Sequence, residues 1–172
     1  MNVLPHIDRI RAYCDYLEDH IRKVQKSWQV LQKACAGMHP FTDDHLWSVI
    51  DGMITDHDMS KVSRQEFIQY QRRFFPVPGT GQADQIFEGA WTHHKRENPH
   101  HWENWTAITD ESFPNELTCH CVCMICDWMA MGLTFGDTAE EYYTKNADRI
   151  TLPKWAEHFV KEIFDRLRTA QD

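Results

Sequence analysis

The sequence lacks long uncharged runs: no stretch free of Asp, Glu, Lys and Arg exceeds ten residues. No bilayer-spanning helix is therefore expected. The segment Met1 to Asp8 lacks the basic-then-apolar pattern of a secretory signal. A cytoplasmic setting follows as the expectation, and there the six cysteines should be thiols rather than disulfides. An excess of positive charge is missing as well. Eighteen Lys and Arg stand against 26 Asp and Glu, for a net charge of −8. A duplex nucleic-acid binder needs a basic face, so that partner class is set aside. A phosphorylated small molecule is not, because a metal and a few cations supply the local field it needs. Internal repeats, low-complexity runs and sustained apolar/polar alternation are absent too, which leaves no β-strand candidate of useful length.

The chain is rich in apolar bulk. Hydrophobic residues make up 42% of 172 residues, with seven Trp and nine Phe. That is enough for one domain over 1–172 with a sizeable core. Ile10, Tyr13, Leu17, Ile21, Val24, Trp28 and Leu31 recur at steps of three and four, which predicts a helix from about Ile7 to Ala34, closed by Gly37 and Pro40. Thr42-Asp43-Asp44 starts a second helix that runs to about Thr55. Ser63-Arg64-Gln65-Glu66 reads as a capping box opening a third. A loop over Phe74 to Gly81 precedes a helix from about Ala83 to Glu97, which Asn98-Pro99 ends. Further helices are expected from Pro114 to Met131, closed by Gly132, after the capping box Thr138 to Glu141, and from Pro153 to Thr169. The fold class is all-α, a single-domain bundle of about six to seven helices.

Chemistry concentrates at His57-Asp58-Met59-Ser60-Lys61. An imidazole nitrogen beside a carboxylate oxygen suits a divalent ion of intermediate hardness, such as Mn, Fe, Co or Zn. Lys61 puts a positive charge near such an ion, where a phosphate would sit. His20 lies beside the apolar stripe of the first helix, and Asp127 lies on the helix that carries Cys119, Cys123 and Cys126. A carboxylate among apolar neighbours needs a partner, and a metal is the natural one. His120, seven residues earlier on the same strip, is a reserve candidate. Four of the eleven histidines fall between positions 93 and 101, which suggests a site wall. His94 shares a face with Phe87, Ala90 and Trp91, and His101 is preferred over His100. The cysteines are spread around one helix, so they read as packing thiols rather than a zinc site.

The order His20, His57-Asp58, Asp127, with a lysine three after the middle Asp, resembles the HD-domain metal-dependent phosphohydrolase superfamily. His57 follows His20 by 37 positions and Asp127 follows Asp58 by 69, as in its smaller members. Ala90 to Trp102 adds a likeness to a narrower group of small phage and bacterial proteins, which share HD-x-S-K and HHxxxNPHHW signatures over roughly residues 16–131. The resemblance implies an HD-like bundle in which His20, His57, Asp58 and Asp127 hold a divalent metal (Mn, Fe, Co, Zn or Mg, one or two ions). Lys61 and Asp58 would be the catalytic pair. His94 and His101 would serve a second metal or bind phosphate. The implied activity is hydrolysis of a small phosphate ester, most often a nucleotide; Trp91, Trp102, Trp105 and Trp128 are rings that could stack a base, but core packing explains most of them. Some HD proteins instead hold two irons and oxidise their substrate, and a non-catalytic binding protein is a third reading. One departure is Ser60, where many HD proteins have Gly.

Overall fold

The computed structural model describes residues 4–77, 84–105 and 115–170. Every regular element among them is helical: α1 Leu4–Ala34, α2 Asp44–Thr55, α3 Phe67–Phe74, α4 Asp84–Glu97, α5 Asn115–Phe135, α6 Ala139–Lys145 and α7 Lys154–Thr169. Short 3-10 turns occupy Met59–Val62 and Trp102–Asn104. The predicted helix starts at Ala83 and Pro114, and the Pro78-to-Gly81 part of the predicted loop, lie outside the described residues.

α5 is the central rod. It packs against α1, α2, α6 and α7, and its residues are buried on almost every side, including Cys119, Cys121, Cys123 and Cys126. A helix apolar all round belongs inside a core or a membrane. α5 is indeed long and apolar enough to cross a bilayer, but 67% of its most apolar window is buried inside the fold. Small thiols let neighbours approach closely. Val24, Trp28 and Leu31 come from α1, Ile50 and Ile54 from α2, and Val160 and Ile163 from α7. A second, smaller cluster joins the first half of α1 to α3 and α4 through Tyr13, Tyr70, Ala90, Phe67 and Phe87. His20 falls on α1 between Tyr13 of the smaller cluster and Val24 of the larger.

Several sequence signals act as expected. Asp43 caps α2 by accepting from the backbone N–H of His45 and Leu46. Thr138 and Glu141 form the reciprocal capping box of α6. Two do not. Ser63 and Glu66 form no capping box: Ser63 Oγ has no hydrogen-bond partner among the described residues. α3 begins only at Phe67, and Glu66 turns its side chain toward the histidines of α4 instead. Nor does Gly132 stop α5. The helix runs on to Phe135, and Gly136, at φ +86, takes the left-handed position past its end.

Gly132 serves close approach. A Cβ there would meet the backbone carbonyl oxygen of Asp137 at 2.2 Å, and that carbonyl is held next to the Thr138 cap. Gly132→Ala should destabilise the fold by about 1–3 kcal/mol, the usual cost of overpacking. A lower urea midpoint with an unchanged slope would report it. A wild-type midpoint would show that the α5–α6 junction yields.

Candidate metal centre

α2 ends at Thr55, and the chain reverses through Asp58, whose φ of 59 makes it the one non-glycine residue at positive φ among those described. Asp tolerates this left-handed conformation better than most side chains. It sits at the N-cap of the 3-10 turn, yet its carboxylate caps nothing and points inward. Lys61 N–H bonds back to the Asp58 carbonyl at 2.8 Å, and the Tyr13 hydroxyl donates to the Lys61 carbonyl at 3.4 Å. The turn is thus closed by its own backbone and tied to the smaller cluster.

The two oxygens of Asp58 face two sets of imidazoles. Oδ2 lies 3.3 Å from His20 Nε2 and 3.7 Å from His57 Nε2. Oδ1 lies 3.2 Å from His94 Nε2 and 3.6 Å from His100 Nε2. Asp127 Oδ1, reaching in from α5, is 3.3 Å from His20 Nε2 and 3.8 Å from His57 Nε2. Two groups have ligand atoms within 4.8 Å of one another and share Asp58: His20 with His57, and His94 with His100 and His101. His57, His100 and Asp127 form a third such group, linking the two. The Nε2 atoms of His20, His57, His100 and His101, and Asp58 Oδ1, are buried without a well-directed hydrogen bond among the described residues. Buried polar atoms that converge without bonding one another fit a divalent ion in their midst. The buried His and Asp cluster can therefore hold a metal.

All six residues singled out around the His-Asp pair line this region: His20, His57, Asp58, Asp127, His94 and His101. His100 is the addition. It is 6% exposed and stacks on His57 with ring centroids 4.4 Å apart. Both histidines of the Asn-Pro-His-His turn face inward, and a turn has no periodicity from which to choose between them. His120 joins none of these groups and instead lines a smaller cavity behind the centre with Cys123. All six cysteines are free, and none enters a metal-capable group among the described residues. Burial pushes the Cys35 and Cys119 thiols up to about 11 and raises those of Cys121, Cys123 and Cys126 as well, which makes them poor nucleophiles.

Behind His94 stands Glu66, fully buried. Its Oε2 is 2.9 Å from His94 Nδ1 and its Oε1 is 2.7 Å from His93 Nδ1. Ser60 Oγ donates to Glu66 Oε2 at 3.0 Å, and Asn98 Nδ2 donates to Ser60 Oγ at 2.7 Å. Ser60, the departure noted above, thus ties the 3-10 turn to Glu66 and Asn98. His93 belongs to this outer layer rather than to the centre.

Lys61 donates to Asp58 Oδ2 at 2.5 Å and lies 5.4 Å from the centroid of the Tyr70 ring. It is therefore clamped beside the carboxylate rather than free in the opening. The centre forms the floor of a cavity of about 530 Å³ walled by aromatic rings, among them Trp91, Trp102 and Trp128. Trp105 is not among them. It is buried in the core, donating to the Pro99 carbonyl at 2.9 Å.

Charge and burial are balanced tightly. Burial opposes the imidazolium of His20, but the Asp127 and Asp58 carboxylates close to its Nε2 outweigh it and raise its pKa to about 9. His94 is raised in the same way, against burial, by Asp58 and Glu66. Burial would raise Asp58 and Asp127, yet Lys61 and His57 hold the first, and His20 and His57 the second, well below the usual carboxylate range. Burial lowers His100, and lowers His101 to about 4, so both are neutral and ready to act as ligands.

The sign of the pH dependence follows. Without metal, stability from protonated His20 is fully present below about 6.5 and is lost as pH rises through about 9. Stability from Asp58 and Asp127 is present above about 3.8 and is lost as pH falls through their lowered values. A metal needs neutral imidazole, so loading stripped protein at pH 7 should expel protons, and at pH above 9 far fewer. Calorimetry in buffers of different ionisation enthalpy reads this directly. Zero proton release at pH 7 would contradict the donor assignment.

A family model described as a family of unknown function, DUF5662, matches residues 3–169. No curated protein and no solved structure matches the chain significantly. The match spans nearly the whole sequence, from α1 through α7, and the chain belongs to the DUF5662 family.

Proposed function

We propose that this chain is a metal-dependent phosphohydrolase of the HD-domain type, acting on a small phosphate ester such as a nucleotide. One observation carries the reading. Asp58 turns one oxygen to His20 and His57 and the other to His94 and His100, with the Lys61 ammonium on the same carboxylate. A carboxylate shared between two donor sets suits a pair of divalent ions. The chain order of these ligands resembles the HD superfamily, which supports the same conclusion.

When bound, divalent ions at such a centre polarise a phosphate oxygen and acidify a water. The chain supplies the rest. Burial works against the charge of Lys61, but Asp58 and Asp127 outweigh it and keep the ammonium protonated, so it cannot compete as a ligand. Its place on the cavity floor lets it meet the oxygen whose charge grows as the ester bond breaks. Five imidazoles around two carboxylates also suit iron, and that favours one second reading, a di-iron oxygenase.

Lys61→Ala should keep its fold and bound metal and lose about a hundredfold to a thousandfold in kcat on p-nitrophenyl phosphate with Mn²⁺. Lys61→Arg should recover only part, because a planar fork does not replace a point charge. Wild-type turnover in Lys61→Ala would place the phosphate elsewhere. Dioxygen consumption and a di-iron Mössbauer signal, with no ester hydrolysis, would replace this reading with the oxygenase.

A further inference from the structure

The cavity above the centre is poor in positive charge. Of the described residues lining it, Lys61 is the only Lys or Arg, and in the phosphohydrolase reading its ammonium is committed to the phosphoryl group being transferred. Segments 1–3, 78–83, 106–114 and 171–172 contain no Lys or Arg, so none of them adds such a side chain. Two carboxylates stand on the walls, Glu103 with Lys95 at 3.5 Å and Asp137 with Lys145 at 3.4 Å. The remaining wall is largely aromatic, including Tyr16, Phe87, Trp91, Trp128 and Tyr142.

Each phosphate beyond the first adds negative charge that needs its own charge-assisted donors, and burying charge without them is costly. Stacked rings favour a flat or apolar body. We propose that the site takes an ester with a single phosphoryl group on an aromatic or apolar body and discriminates against di- and triphosphate tails. This rests on the phosphohydrolase reading and narrows it.

The test compares 1-naphthyl phosphate, a nucleoside triphosphate and inorganic tripolyphosphate on the metal-loaded full chain, with Mn²⁺ in excess over phosphate. The monoester should lead in kcat/KM by roughly tenfold to a hundredfold, the worth of one or two charge-assisted hydrogen bonds. Equal or faster turnover of either triphosphate would overturn the inference while leaving phosphohydrolysis intact. Hydrolysis of none of the three would overturn the phosphohydrolase reading and this inference with it.

A second inference stands on the hydrogen bonds behind His94. Glu66 uses both carboxylate oxygens, one on each of the adjacent histidines His93 and His94. With Nδ1–H given to Glu66, His94 turns its Nε2 toward Asp58 Oδ1 at 3.2 Å, and that nitrogen becomes a ligand once a metal displaces its proton. A carboxylate behind a ligating imidazole fixes both tautomer and ring orientation. We infer that Glu66 is a positioning residue for the His94, His100 and His101 side of the centre, held in place by Ser60.

Glu66→Gln should bind the first divalent ion with wild-type affinity and the second about tenfold to a hundredfold more weakly. Co²⁺ titration followed by visible absorption and metal stoichiometry reads both steps without turnover. Ser60→Ala, a milder change, should weaken the second step in the same direction. Unchanged second-ion affinity in either folded variant, or equal weakening of both ions, would overturn the role. A wild-type chain that takes only one ion would remove the second site and this inference together.

Discussion

The structure depends on the buried carboxylate of Asp58. Placing it inside the fold costs solvation that apolar neighbours cannot return. Lys61 and the surrounding imidazoles offset that cost in the metal-free chain. Its left-handed backbone adds strain, and such strain persists only where the surroundings over-determine it. They do so here from two sides. The α5-centred core presents Asp127, and the smaller aromatic cluster presents His94 through Tyr70 and Trp91. Two packed clusters joined across a polar seam let charge be buried without the helices giving way. Divalent ions in the seam would strengthen that join, so metal and fold are coupled.

Glu66 repeats the logic one layer out. It is a fully buried acid, and burial would raise its pKa, yet hydrogen bonds from His94, His93 and Ser60 hold it below the usual range. The doublet His93-His94 therefore divides its labour. One ring faces the centre, and both present Nδ1 to the same carboxylate. A long segment of the fold thus serves to aim ring nitrogens at one point, and the cavity above inherits its shape from the rings that pack around them.

Much of this was legible in the sequence, for physical reasons. The stripe of α1 placed His20 beside the core, and the helix face of Phe87, Ala90 and Trp91 placed His94. Asp127 on an apolar helix announced its need for a partner. The all-α class followed from helical spacing throughout. Legibility failed where local and tertiary signals compete. Ser-x-x-Glu at Ser63 to Glu66 has the pattern of a capping box, but an acid that can reach two buried histidines is drawn inward, and the helix starts later. Gly132 looked like a stop because glycine often ends helices. Its function is to let a backbone carbonyl pass, a contact that no local pattern encodes. His100 and His101 could not be separated because a turn after proline has no repeating face. α5 is apolar enough to pass for a membrane helix by mean composition, but Glu116 and Asp127 interrupt its apolar run, and its burial against its neighbours agrees with the expectation that it does not span a bilayer.

The central claim is that Asp58 is shared between two cations. Anomalous diffraction from crystals grown with Mn²⁺, collected at the metal's absorption edge, tests it most directly. The account predicts two peaks flanking the Asp58 carboxylate, about 3.5–4 Å apart as in two-metal centres. One should be bounded by His20, His57 and Asp127, and the other by His94, His100 and His101. A single peak away from Asp58, or none in well-ordered crystals, would contradict it.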